Sequence, residues 1–88
     1  MGYVVYVLYS PKFHKIYVGY TSDLEGRIRS HNELAKRGYT VKFRPWVIAF
    51  TEEYGSKREA LKREKALKSG QGRAFVWKKI EGLGLISA

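Results

Sequence analysis

The chain contains no cysteine. A disulfide framework and a thiolate zinc site are both excluded, and thiol usage implies no redox compartment. Proline occurs only twice and polar low-complexity runs are missing, so composition marks no disordered segment. No apolar run approaches the roughly eighteen residues of a membrane span. The first residues, MGYVVYVLYSPKFHK, carry neither a basic leader nor a small-residue cleavage pattern, so the expectation is a cytoplasmic protein without membrane contact. Acidic residues are scarce as well: eight Asp and Glu face seventeen Lys and Arg, a formal charge of +9 at pH 7.

What is present suffices for one folded unit. A chain of 88 residues buries only about two thirds of its extended surface and supports a single layered core. Its apolar fraction of 44% is ample for that core. The positive excess creates a potential that steers polyanions, and each phosphate neutralised adds affinity that is salt-dependent and indifferent to sequence. Nucleic acid is the expected partner.

Tyr3 to Tyr9 is apolar, β-branched or aromatic almost throughout, which suits a central strand covered on both faces. Pro11 marks the turn of a hairpin, and Lys15 to Tyr20 returns as the second strand. Gly19, near its end, leaves room for close approach of backbone or ligand. Ser22 and Glu25 have capping-box spacing, predicting a helix from Asp23 to Leu34 or Lys36 with Leu24 and Ile28 facing the sheet. Tyr39 to Phe43 reads equally as a short strand or an irregular link. Trp46 to Phe50 is a third strand, closed by Thr51, Glu52 and Glu53. Ser56 and Glu59 repeat the capping spacing and open a helix through Lys68. The stretch Ser69 to Gly72 ends it, and Arg73 to Ile80 forms a short third helix. The expected fold is α+β, a small three-stranded antiparallel sheet with helices packed against it. Residues 1–82 form the domain and 83–88 a mobile tail.

Five side chains are candidates for chemistry. Tyr6 and Tyr17 occupy matched places in the hairpin. Arg27 and His31 lie one helical turn apart on a common face; an arginine fork clamps phosphate, and an imidazole exchanges protons near neutrality. Glu64 is an acid in a helix crowded with cations, where it either pairs with Lys68 or turns into a basic cleft to hold a hard cation such as Mg²⁺. Together they contain the parts needed for phosphodiester hydrolysis.

These residues also carry a family resemblance. Val4-Val5-Tyr6, then Tyr17-Val18-Gly19, then Thr21 to Asn32 with Arg27 and His31, and later Glu59 to Lys65, resemble the GIY-YIG endonuclease superfamily, in motif order and over nearly the whole chain. The likeness is greatest to small stand-alone bacterial members related to the N-terminal domain of the excision-repair nuclease UvrC and to the structure-specific SLX-type nucleases. It implies a catalytic set of Tyr6, Tyr17, Arg27, His31 and Glu64, with Glu64 as metal ligand, Mg²⁺ or Mn²⁺ as cofactor, and Tyr17 or Tyr6 activating water. Two departures stand out. Val4 replaces the first motif's glycine, and Tyr20 stands where some members carry a lysine able to lower the neighbouring phenol's pKa.

The resemblance implies a metal-dependent DNA endonuclease, possible roles being repair or recombination. The alternative is a nucleic-acid binding module that keeps the fold without turnover. Contacts to DNA, duplex or branched and without strong sequence specificity, are expected from Gly19 and Tyr20, and from Lys42 and Arg44 on one side of the cleft in sequence. Lys57, Arg58, Arg63, Lys68 and Arg73 would serve the other side. The sequence names no protein partner.

Overall fold

A computed structural model describes residues 2–86 of the chain. Strands β1 (Tyr3–Ser10), β2 (Lys15–Thr21) and β3 (Val47–Tyr54) form one antiparallel sheet in the order β2-β1-β3. The near-continuous apolar run of β1 therefore lies in the middle, and residues Val5 to Ser10 are buried. The hairpin turn closes when the His14 amide donates to the Ser10 carbonyl at 2.7 Å.

Alternation along the strands sorts side chains to two cores. Val5, Val7, Tyr9, Ile16 and Val18 face helices α3 (Lys57–Lys68) and α4 (Gly70–Gly82), meeting Ala60, Leu67, Val76 and Ile80. Tyr6, Leu8 and Trp46 form the opposite core with Tyr17, Leu24, Ile28 and Phe43. That side is covered by helix α1 (Leu24–Arg29), a π turn (Ser30–Leu34) and the short helix α2 (Tyr39–Lys42). The α+β class and the three-stranded antiparallel sheet are as the sequence predicted.

Several boundaries differ. Asp23, not Ser22, caps α1: its carboxylate accepts from the Gly26 amide at 3.1 Å, while the Asp23 amide donates to Thr21 Oγ1 at 3.0 Å. Tyr39 to Lys42 is helical, neither strand nor irregular link. β3 runs on through Thr51, Glu52 and Glu53, because these residues pair with Tyr6, Val5 and Val4 of the central strand, while the Glu52 carboxylate is taken up by Arg63 at 2.8 Å and the Tyr54 hydroxyl at 2.9 Å. α4 opens at Gly70, since Ser69 Oγ accepts from the Gly72 amide at 3.1 Å and donates back to the Ala66 carbonyl at 2.7 Å, turning the chain between two helices without a spacer.

Of the expected tail, Ile86 packs beside the α3–α4 core, and Ser87 and Ala88 lie outside the described residues. Among the described residues, no helix is long and apolar enough to cross a membrane.

Candidate active site

The hairpin register puts Tyr6 opposite Gly19. A Cβ on Gly19 would fall on the Tyr6 phenol, 2.6 Å from its Cζ. The space a side chain would take at Gly19 is thus filled by the tyrosine ring, which packs against the strand at the edge of the cleft. Tyr17, two residues earlier on the same face of β2, stands with its ring 6.3 Å from that of Tyr6.

Helix α3 approaches from the other face of the sheet. Ala60, Glu64 and Leu67 fall at i, i+4 and i+7, so the acid occupies the inward stripe between two buried apolar residues. Because β2 is an edge strand, that stripe reaches past the sheet, and Glu64 meets Tyr6, Tyr17 and Arg27 in a cleft of about 440 Å³. Gly19, Tyr20 and Lys57 also line it. The Glu64 side chain is 14% exposed and pairs with Lys68 Nζ at 3.5 Å, the helix pair that the sequence offered as one of its two roles. The pair with a half-exposed lysine contributes little and leaves carboxylate oxygen for other partners.

Among the described residues, no three His, Cys, Asp or Glu side chains gather into a ready-made metal cage. Among the described residues, Glu64 is the one acid lining the cleft. A single carboxylate fits Mg²⁺ or a similar hard cation, which retains several waters and takes further oxygens from a substrate phosphate.

His31 stands one layer behind. It is 8% exposed and absent from the cleft lining; its Nε2 lies 2.9 Å from the Tyr6 hydroxyl and its Nδ1 lies 3.0 Å from Thr40 Oγ1. Burial, then the charges of Arg27 and Arg44, hold its pKa below the ordinary histidine value, so the ring is neutral. Thr40 is buried, and its hydroxyl makes no other side-chain hydrogen bond among the described residues. A neutral ring carries one N–H and one lone pair, so it donates in one of these two contacts and accepts in the other. Burial first, and then Tyr17, raise the Tyr6 pKa well above the usual phenol range; Glu64 adds to this and Arg27 opposes it. Tyr6 stays protonated at neutral pH.

Thr40 escaped the sequence reading because it lies in the segment Tyr39 to Phe43, whose pattern chose no element. Its neighbour Arg44 was expected to contact nucleic acid. The structure turns its guanidinium inward, donating to the carbonyls of His31 at 2.6 Å, Ser30 at 3.2 Å and Ala35 at 2.6 Å, and so closing the end of the π turn. Arg63 is likewise occupied, with Nε and Nη2 on the two Glu52 oxygens at 2.8 and 3.2 Å. Lys42 and Arg58 are exposed away from the cleft lining. Lys68 and Arg73 border a neighbouring depression of about 400 Å³ with Tyr17 and Tyr39.

Fold and cleft together define a class: a small α+β domain that gathers two phenols, a guanidinium and one carboxylate at the edge of a three-stranded sheet. The GIY-YIG catalytic domain model matches residues 2–79, and the chain belongs to that family. Its nucleases are generally dependent on a divalent metal. The chain is similar to a UPF0213 protein of Staphylococcus haemolyticus, 40% identical over 58 residues that cover 66% of this chain and 71% of the relative. It is also similar to the UPF0213 protein YazA of Bacillus subtilis, 42% identical over 48 residues, 54% of this chain and 48% of that protein. The match thus spans less than half of YazA. The solution NMR structure of the UPF0213 protein BH0048 from Bacillus halodurans superposes with a TM-score of 0.53 at 28% identity, covering 89% of this chain and 84% of that one.

Proposed function

We propose that this chain is a divalent-metal-dependent endonuclease that hydrolyses phosphodiester bonds in DNA. The observation that carries this reading is the single cleft lined by Tyr6, Tyr17, Arg27 and Glu64. Arg27 binds the scissile phosphate and offsets its growing equatorial charge. Tyr6 donates a hydrogen bond from its hydroxyl to a phosphate oxygen, held in orientation by His31 and, behind it, Thr40. Tyr17, less buried than Tyr6, orients the attacking water. Glu64 would hold Mg²⁺ or Mn²⁺, which supplies Lewis-acid polarisation of the phosphate. The water oxygen forms the new bond to phosphorus as the P–O ester bond breaks, the departing ester oxygen takes a proton from solvent, and the attacking water's own proton passes to solvent through the open cleft.

The substrates that suit this reading are duplex or branched DNAs gripped through their phosphates, as in repair or recombination in the cytoplasm. The support is the excess of cations, whose contacts to phosphates position a strand without reading its sequence.

Glu64→Gln tests the reading. With Mg²⁺ or Mn²⁺, the wild-type chain should cut at least one of a panel of flap, nicked, linear and single-stranded DNAs, and chelation should abolish cutting. Because losing an outer partner of a metal already costs about 10–100-fold, loss of the ligand itself should cost more than about a hundredfold. Equal background from wild type and variant on every substrate refutes the enzyme. Tyr20, standing where some family members carry a lysine able to lower the neighbouring phenol's pKa, favours a second reading, a binding module without turnover. That module would bind DNA with strong salt dependence and no metal requirement, and would cut nothing.

A further inference from the structure

From Tyr17, at the rim of the cleft, a row of aromatic rings leads away across the surface. The Tyr39 ring lies 6.3 Å from Tyr17 with planes 28° apart, Phe43 lies 4.9 Å beyond Tyr39, and Phe13 lies 5.5 Å beyond Phe43. Three separate segments supply these rings: the hairpin turn, β2 and α2 with the residue that follows it. Tyr39 and Phe13 remain 47% and 41% exposed, so much of their area contributes nothing to the core beneath. An exposed apolar strip shared by distant segments points to a partner.

The cations along the strip identify that partner. Lys12 Nζ stands 5.5 Å from the Phe13 ring centre, Lys15 Nζ 5.4 Å from Phe43, and Lys68 Nζ 6.0 Å from Tyr17. A dry apolar protein surface laid on these rings would have to strip water from each ammonium without repaying it. A polymer that alternates flat π faces with phosphates satisfies rings and ammoniums together. In a duplex the base faces are already stacked on one another, so only unpaired bases can reach the strip.

We propose that the strip Tyr17–Tyr39–Phe43–Phe13 is a binding track for single-stranded DNA that enters or leaves the cleft at Tyr17. The inference rests on the nuclease reading for its purpose, naming the form of the strand presented to the site, while binding along the track requires no cleavage.

The test is fluorescence anisotropy in EDTA, with a short labelled oligo(dT) and a blunt hairpin duplex of equal nucleotide number. The double variant Phe13→Ala, Tyr39→Ala should lose at least about tenfold in affinity for oligo(dT) and less than about twofold for the duplex. The ring-preserving variant Phe13→Tyr, Tyr39→Phe should keep oligo(dT) binding. Equal losses on both DNAs, no loss on oligo(dT), or an equal loss in the ring-preserving variant each overturns the track. Circular dichroism and thermal melting check that the variants fold. Ultraviolet cross-linking of wild type to 5-iododeoxyuridine DNA reads the same contact without any substitution: adducts on Tyr39 or Phe13 support the track, and adducts confined to other surfaces overturn it. An oligo(rU) that binds tenfold tighter than oligo(dT) overturns the assignment to DNA. Because every arm excludes the metal, a chain that binds through the track yet never cuts refutes the nuclease alone, and one that cuts without using the track refutes the track alone.

Discussion

His31 is neutral in the fold because burial outweighs its attraction for a proton, and the guanidinium charges of Arg27 and Arg44 add to the effect. The unfolded chain takes up that proton near pH 6.5, the folded chain only at lower pH. The contribution to stability is therefore full above about pH 6.5 and is lost as pH falls through the folded-state value. Urea unfolding of wild type against His31→Gln should reveal it: the wild type loses stability faster on acidification below pH 6.5, by no more than about 1.4 kcal/mol per pH unit, and parallel profiles would refute the buried neutral ring. Thr40→Val leaves Nδ1 without a partner and should cost about 1–3 kcal/mol in the same assay at pH 8, with DNA cleavage reduced as Tyr6 loses its orientation. Tyr6, Tyr17, Arg27 and Glu64 were legible in the sequence because each stands at a marked place, the phenols in facing strands and the acid at the Ala60 + 4 position of an apolar stripe. Thr40 was not, since a hydroxyl in an unpatterned segment acquires its role only from the imidazole folded against it. The inward turn of Arg44 was hidden for the same reason: its partners are backbone carbonyls, which no residue pattern advertises.

The elements were most legible where one physical signal dominated. The apolar run of β1 demanded cover on both faces and received it, and the Ser56 cap opens α3 with its hydroxyl accepting from the Glu59 amide at 3.3 Å. Boundaries failed where two groups competed for one task. At α1, Thr21 ties down the Asp23 backbone and frees the Asp23 carboxylate to cap, displacing Ser22. At the α3–α4 junction the Ser69 to Gly72 stretch looked like a stop, whereas Gly72 is there for closeness: a Cβ on it would come within 2.6 Å of the Leu67 Cα. Ser69→Ala removes the hydroxyl that serves both helices and should destabilise the protein by about 0.5–2 kcal/mol, read as a lower midpoint in chemical denaturation. An unchanged midpoint would mean that packing of Val76 and Ile80 alone fixes the corner.

Across the whole molecule the excess of nine positive charges outweighs any single contact. If the chain engages duplex DNA through phosphates, the logarithm of its affinity should fall linearly with the logarithm of salt concentration, with a slope of about −0.9 for each phosphate neutralised. Lys57→Ala, at the cleft rim, should make that slope shallower by about one such contact, and an unchanged slope would remove Lys57 from the interface. The composition made this character legible, but not its distribution: Arg44 and Arg63 are consumed by carbonyls and by Glu52, so the cations free to meet DNA are fewer than the count suggests. The layered order has a consequence for synthesis. A ribosome releases the chain from its N-terminus, and a nascent chain exposed as far as Tyr54 already carries Tyr6, Tyr17 and Arg27 but neither Glu64 nor the α3 cover over Val5 and Val7. The carboxylate is delivered by the same helix that seals the core. No nascent chain that stops short of Glu64 holds all four of these groups, so the cleft is assembled only once α3 has emerged and packed on the sheet, with Val76 and Ile80 of α4 closing the core after it.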